Sequence, residues 1–132
     1  MLRITLTRSP IYSAIRITTS LRHYNGNRTV GILSENYNKW ERRVPLTPSH
    51  VAQLTAGNNK VVIQPSDHRI YTDSSYEAAG ASVSDDLTGC CLVVGVKQPS
   101  LSVLANSVSP SSSIMCFSHT VKGQPENMEV SK

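Results

Sequence analysis

The segment Cys91 to Val96, with the sequence C-L-V-V-G-V, is the most apolar run in the chain. A short run without polar residues is typical of a β-strand that is buried on both faces, as in parallel sheets covered by helices. Such a strand needs other strands along its edges and helices above and below it. The rest of the chain should therefore alternate between strands and helices.

Three further segments are predicted to be strands because they are rich in apolar and β-branched residues. These segments are Thr29 to Leu33, Lys60 to Gln64 and Ile114 to Phe117. A helix is expected after the first strand, because Thr47 is placed to cap it, Pro48 occupies its first position and Gly57 ends it.

Two shorter helical segments complete the alternation. One is expected near Asp73, with Ser74 and Glu77 at capping-box spacing and Gly80 at its end. The other is a helical turn at Pro99 to Leu104. Strands that alternate with helices predict an α/β fold, a parallel sheet with flanking helices and right-handed crossovers.

Arg43, Lys97 and His119 each follow a predicted strand of this sheet. Ligands of open parallel sheets bind outside the carboxyl ends of the strands, so these side chains should converge on one edge. The guanidinium fork of Arg43 suits a carboxylate, and the imidazole of His119 titrates near neutral pH. Lys97 suits proton transfer if burial and a neighbouring cation such as Arg43 favour the neutral amine. Alternatively, the three are unrelated surface charges on three loops, and spacing alone does not decide.

Five motifs follow one another between Val30 and Met128. They are V-G-I-L-S-E, W-E-R-R-V-P-L-T-P, V-V-I-Q-P-S, G-V-K-Q-P and F-S-H-T-V-K-G-Q-P-E-N-M. In this order the chain resembles the amino-terminal part of lysine-ketoglutarate reductases, which in many organisms form one half of a bifunctional aminoadipic semialdehyde synthase. Alanine dehydrogenases and proton-translocating transhydrogenases share the domain type and its R-V-x-L-[ST]-P and V-K-x-P segments. Trp40, the doubled arginine and the K-x-Q-x-x-N-M pattern after S-H-T favour the lysine-degrading branch.

The resemblance implies roles for five side chains. Arg43 would contact a substrate carboxylate, while Lys97 and His119 would perform acid–base chemistry. Arg42 and Lys122 are weaker candidates for substrate binding, and the alternative for each is a solvated surface role. The implied reaction is a reductive condensation, in which lysine and 2-oxoglutarate form an imine that a hydride from NADPH reduces to saccharopine.

The resemblance also implies a nicotinamide cofactor, for which the sequence offers no binding motif. None of the seven glycines forms G-x-G-x-x-G after a strand, so NADPH is expected to bind another domain of the full-length enzyme. The three cysteines lack C-x-x-C spacing, so neither a metal site nor a redox pair is predicted.

The family pattern covers residues 29–128 and is followed by a divergent tail, Glu129 to Lys132. We interpret residues 29–128 as a partial domain, from a truncated gene model or a short isoform, that is inactive by itself. A homo-oligomer of the full-length enzyme is compatible with the resemblance. Two alternatives stay open: a related dehydrogenase that uses pyruvate or another small oxo acid, and a non-catalytic domain that binds substrate or a partner.

The first 34 residues hold five arginines and no acidic residue, so the basic excess of the chain lies at the amino terminus. An Arg-rich and Ser/Thr-rich leader with interleaved apolar residues is typical of a mitochondrial transit peptide. It is predicted at residues 1–28, with cleavage near Arg22 to Tyr24 and delivery to the mitochondrial matrix. Arg8, Pro10 and Arg16 interrupt any membrane span. A nucleic-acid-binding arm is less favoured, because no basic face continues into the domain.

Overall fold

The computed structural model describes residues 29–36 and 39–118, and within them it shows an α/β fold. The elements are β1 (Thr29–Ile32), α1 (Pro48–Ala56), β2 (Lys60–Ile63), α2 (Asp73–Ala78), β3 (Ser82–Val83), β4 (Leu92–Lys97), α3 (Leu101–Ser107) and β5 (Ser113–Phe117). The predicted transit peptide, His119, Lys122 and the predicted tail lie outside the described residues. No helix in the described part of the chain is long and apolar enough to cross a membrane.

The strands form one sheet of five in the order β3-β2-β1-β4-β5, and all neighbouring pairs are parallel. This confirms the predicted fold class, a parallel sheet with flanking helices. The register places Ile32 of β1 opposite Ile63 on one side and Val94 on the other. The strand order reverses at β1, so the carboxyl ends of β1 and β4 flank the topological switch point, where ligands of such sheets bind.

Two hydrophobic clusters hold the helices against the sheet. In the first, Ile32 and Ile63 of the sheet pack with Val51 of α1 and Tyr76 of α2. In the second, buried residues around Val93 pack with the half-buried side chains of α3; the buried members are Leu33, Leu87, Cys90, Val93 and Val108. Burial of these apolar side chains is the main source of stability for such a layered arrangement.

The first helix has the caps that the sequence predicts. The Thr47 hydroxyl accepts from the His50 backbone N–H, and His50 Nδ1 accepts from the Thr47 N–H, so the two form a capping box. Pro48 occupies the first turn, and the N–H of Gly57 donates to the Gln53 carbonyl at the end. α1 thus starts and stops where local backbone chemistry dictates.

The sequence prediction was wrong or incomplete at three other elements. Thr72, not Ser74, caps α2, because its hydroxyl accepts from the Ser75 N–H. Strand β3 was not predicted, because it pairs with β2 through only two residue positions. Instead of one turn, α3 runs from Leu101 to Ser107, since Ser100 caps it and two of its side chains pack against the second cluster.

The apolar run that predicted β4 is not buried on both faces. Val93 is fully buried, whereas Val94 and Val96 are only half-buried. In the neighbouring strand β5, Met115 is 61% and Phe117 is 72% exposed. Helices α1 and α2 pack in the cluster around β1 and β2 and do not cover β4 and β5. Within the described residues, the face of β4 and β5 that carries Val94, Met115 and Phe117 is therefore an open apolar surface.

Candidate functional site

The chain segments after β1 and at the end of β4 meet around the carboxylate of Glu41 at the carboxyl edge of the sheet. Glu41 is buried, with 8% of its surface exposed. Arg43 donates from Nε to Oε1 and from Nη2 to Oε2, both at 2.7 Å. The Nζ atom of Lys97 lies 3.0 Å from Oε2. One carboxylate therefore joins a guanidinium and an amine that are far apart in the sequence.

The charges of this cluster stabilise one another. Hydrogen bonds from the Arg43 side chain hold the pKa of Glu41 well below its ordinary value, and the bond from Lys97 acts in the same direction against the effect of burial. The same contact raises the pKa of Arg43 above its ordinary value. Glu41 is thus the shared counter-ion of Arg43 and Lys97, a carboxylate that the sequence prediction for these two cations did not include.

The two cations differ in exposure. The Arg43 side chain is 67% exposed, whereas the Lys97 side chain is 25% exposed. The bonds to Glu41 use Nε and Nη2 of Arg43, so its remaining N–H groups are available for an incoming carboxylate. Lys97 is better sheltered, which suits a group that moves a proton.

Arg42 does not contact Glu41 in the described structure, although it is adjacent in sequence. Its Nε atom donates to the backbone oxygen of His68 at 3.0 Å, and its own carbonyl accepts from the Ile70 N–H at 3.0 Å. These bonds tie the segment before α1 to the segment after β2. The structure thus brings together Arg43 and Lys97 and gives Arg42 a bracing contact, while His119 and Lys122 lie outside the described residues.

A cavity of about 1080 Å³ opens beside the cluster. Glu41, Arg42 and Arg43 line one side of it, and the open surface of β4 and β5, with Val94 and Phe117, lines the other. Its size is sufficient for small organic substrates. Among the described residues, no group of three or more His, Cys, Asp or Glu side chains is placed to hold a metal ion.

A second carboxylate, that of the half-buried Glu35, lies at the switch point between β1 and β4. Its Oε1 accepts the Val96 N–H at 2.5 Å and its Oε2 accepts the Lys97 N–H at 3.1 Å. Burial raises the pKa of Glu35, while the two backbone bonds oppose that rise. In dinucleotide-binding sheets this crevice receives a pyrophosphate. A carboxylate that already takes the backbone donors is a poor fit to a phosphate, so the described residues of this crevice do not suit a nucleotide.

Neither carboxylate is among the site residues predicted from the sequence. Glu41 stands inside the W-E-R-R motif and Glu35 follows the first predicted strand by two residues. The rule that selected Lys97, proximity to the carboxyl end of a strand, applies equally to Glu35. All the predicted site residues were basic, so the acidic residues Glu35 and Glu41 were not considered.

Residues 31–132 match the protein family described as alanine dehydrogenase/PNT, N-terminal domain. The chain belongs to this family. Its match with the alanine dehydrogenase/PNT N-terminal domain begins inside β1, at Gly31, and includes the Glu41 cluster and strands β2 to β5.

Several relatives are alpha-aminoadipic semialdehyde synthases. The chain is 49% identical over 109 residues to the Arabidopsis thaliana protein of that name, and the match covers 78% of this chain and 10% of the relative. It is 38% identical over 114 residues to the mitochondrial alpha-aminoadipic semialdehyde synthase of Bos taurus, and that match covers 86% of this chain and 12% of the relative. The chain thus spans about a tenth of the length of these relatives.

Solved structures of the family have the same fold. A transhydrogenase from Sinorhizobium meliloti superposes with a TM-score of 0.63 at 21% identity, over 76% of this chain and 30% of that chain. An L-alanine dehydrogenase superposes with a TM-score of 0.59 at 25% identity, over 76% of this chain and 29% of that chain. Both of these proteins are oxidoreductases by name, and each superposition covers 76% of this chain.

Proposed function

We propose that this chain is the substrate-side domain of a lysine-ketoglutarate reductase, which joins lysine to 2-oxoglutarate reductively to give saccharopine. Similarity to alpha-aminoadipic semialdehyde synthases over most of the chain supports this function. The observation that carries it is the cluster of Arg43, Glu41 and Lys97 beside a cavity at the carboxyl edge of the sheet. A cationic site with a proton donor is what condensation of an amine with an oxo acid requires.

Arg43 is proposed to bind a carboxylate of the oxo acid. Its fork is held at one side by Glu41, so the side chain is oriented before the substrate arrives and less rotamer entropy is lost on binding. The substrate approaches from the exposed side of the guanidinium, where the cavity opens. Arg42 and Lys122 are secondary candidates for the other carboxylates of the two substrates.

Lys97 and His119 are proposed to move the protons of the condensation. When the lysine amine attacks the oxo carbon, a proton leaves the nitrogen and the carbonyl oxygen gains one, giving a carbinolamine. Loss of water then requires a second proton on the departing hydroxyl. The Lys97 ammonium, held by Glu41 at 3.0 Å, gives its proton to the carbonyl oxygen, while His119 accepts the proton from the attacking amine and then gives it to the departing hydroxyl.

The reduction of the imine belongs to the full-length protein. The alanine dehydrogenase/PNT family implies a nicotinamide cofactor, and we propose NADPH, bound by another domain because the Glu35 crevice does not suit it. The proposed site of action is the mitochondrial matrix, supported by the acid-free leader and by the mitochondrial relatives from Bos taurus and Rattus norvegicus.

The test is a kinetic comparison in the full-length enzyme that contains this domain. Oxidation of NADPH with lysine and 2-oxoglutarate is followed by absorbance, and saccharopine is identified by mass spectrometry. Lys97→Ala and His119→Ala should each lower kcat by roughly 10²- to 10⁴-fold. Arg43→Ala should mainly raise the KM for 2-oxoglutarate, while Lys60→Ala, a change at an exposed cation at the amino-terminal end of β2, serves as the control.

Other outcomes would redirect the assignment. Turnover with pyruvate or another small oxo acid, but not with 2-oxoglutarate, would identify a related dehydrogenase. Binding of substrate without turnover under any of these conditions would identify a non-catalytic domain. Wild-type kinetics in the Arg43, Lys97 and His119 variants would show that the site is elsewhere.

A further inference from the structure

Glu35 connects the carboxyl end of β1 to the end of β4. It lies three residues beyond Ile32, where β1 ends, and reaches across the switch point to the last two residues of β4. Its carboxylate is not part of the Arg43 and Lys97 side-chain contacts described above. Instead, each of its oxygens accepts one backbone N–H, from Val96 and from Lys97.

The backbone of β4 is irregular where Glu35 binds it. Pairing with β1 ends at Ile32 opposite Val94, and the register with β5 shifts between Val94 and Lys97. Where a strand extends beyond its paired neighbour, its backbone N–H groups have no partner in the sheet. The N–H groups of Val96 and Lys97 donate to the Glu35 carboxylate instead. These two hydrogen bonds therefore fix the backbone of β4 at Lys97.

Gly95 provides the space for this contact. A Cβ atom at Gly95 would lie 3.0 Å from Leu33 Cδ1 and 3.3 Å from Glu35 Oε1. Any larger residue there would push the Glu35 side chain or the β1 end away from β4. The close approach of the end of β1 to β4 therefore depends on a residue without a Cβ atom at position 95.

The position of Glu35 is electrostatically unfavourable for a carboxylate. Burial raises the pKa of Glu35, and the nearby Glu41 carboxylate acts in the same direction, while Arg43 and the backbone N–H groups act against it. Cys116 of β5 also lies within range, since Glu35 contributes to the raised pKa of that thiol. An ionised Glu35 costs free energy here that a polar neutral residue would not.

We propose that Glu35 is a positioning residue that directs Lys97 toward Glu41, which lines the cavity, by holding the Val96 and Lys97 amides. The proposal rests on the proposed function, in which Lys97 is the proton donor. Glu35 itself does not touch the substrate or the reacting atoms. It acts through the backbone of β4, and its effect on catalysis should disappear when Lys97 is absent.

A double-mutant cycle in the full-length enzyme tests this dependence. Glu35→Ala should lower kcat by about 10²-fold, the scale of a misplaced catalytic group, with little change in KM. Glu35→Gln keeps one acceptor oxygen and should recover part of that loss. In a Lys97→Ala background, Glu35→Ala should cause no further loss. An equal loss in both backgrounds would overturn the proposal, because it would show a general structural effect.

A measurement without turnover separates this proposal from the proposed function. In the NMR spectrum of the chain, the Val96 and Lys97 amide protons should shift together as the pH is lowered, with a midpoint above the ordinary 4.5 of a glutamate. Glu35→Gln should abolish that shift, whereas Glu77→Gln, a change at an exposed residue of α2, should leave it unchanged. Amides that do not titrate, or that titrate equally in Glu35→Gln, would refute the contact even if the enzyme makes saccharopine.

Discussion

Replacement of Tyr76 by Phe tests how firmly α2 anchors the segment that carries Arg43. Tyr76 is fully buried, and its hydroxyl donates to the backbone oxygen of Leu46 at 2.7 Å. Leu46 lies between Arg43 and the start of α1. Phe keeps the aromatic ring and its burial but removes the donor. The substitution therefore isolates one hydrogen bond between the second helix and the site-bearing segment.

The expected loss follows from the surroundings of the two partners. A net hydrogen bond contributes about 1 kcal/mol, and a buried acceptor left without a donor costs about 1 to 3 kcal/mol. Because Leu46 is only half-buried and water can partly replace the hydroxyl, we expect Tyr76→Phe to destabilise the fold by about 1 to 2 kcal/mol. Each kcal/mol lowers Tm by roughly 4 to 8 °C in a domain of this size.

The same variant should change the alkaline limb of stability. Burial raises the pKa of Tyr76 from its ordinary 10.0 to about 12. A raised folded pKa means that this contribution is fully present below pH 10 and is lost as the pH rises toward about 12. Two units correspond to about 3 kcal/mol. The wild-type advantage of about 1 to 2 kcal/mol over Tyr76→Phe should therefore shrink above pH 10 and reverse before pH 12.

Thermal and urea unfolding, followed by far-UV circular dichroism, measure both effects. Tyr71→Phe is the matched control, because Tyr71 is a neighbouring tyrosine that is 37% exposed. Equal Tm values for the two variants at neutral pH would refute the anchoring role of the Tyr76 hydroxyl. A stability difference that stays constant from pH 7 to 12 would refute the assignment of the alkaline limb to Tyr76.

Three further outcomes are expected. Gly31→Ala should destabilise the fold by about 1 to 3 kcal/mol in chemical denaturation, because the new Cβ would lie 3.1 Å from Cys90 Sγ inside the second cluster. The lowered pKa of Glu41 means that its stabilisation is present above pH 4.5 and is lost as the pH falls through the lower folded value. In Glu41→Gln, the free energy of unfolding should therefore depend less on pH below pH 4.5 than in the wild type. Amino-terminal sequencing of protein recovered from mitochondria should start near Tyr24, and an intact Met1 on cytosolic protein would contradict import.

The fold was predictable where local chemistry and packing agree. Thr47 and Pro48 mark the start of α1 by backbone chemistry alone, and the β4 run marks a central strand by its hydrophobicity. The start of α2 near Asp73 was predicted, but its cap was not, because Thr72 and Ser74 are both good caps and only the tertiary structure selects between them. A strand as short as β3 has no periodic pattern of its own, because pairing with β2 defines it.

The candidate site was predictable in part for a similar reason. Strand-end placement correctly brought Arg43 and Lys97 to one edge, since parallel strands share that edge whatever their loops contain. The carboxylate that joins them was not predicted, because Glu41 is an acidic residue in a loop and its burial depends on how that loop folds back. The contact of Arg42 could not be predicted either, because its partner, the backbone oxygen of His68, comes close only in the folded structure.

The strand order of this sheet is shared with nucleotide-binding domains, so a local difference must decide what the edge binds. At the switch point, Glu35 takes the backbone N–H groups of Val96 and Lys97, which removes the donors that a phosphate would need and adds a negative charge. Nearby, Arg43 is held open toward the cavity. The Arg43 guanidinium can therefore bind a carboxylate at the cavity, while the Glu35 carboxylate disfavours an anion in the crevice. This pattern of charge agrees with the proposed binding of small acidic substrates at the edge.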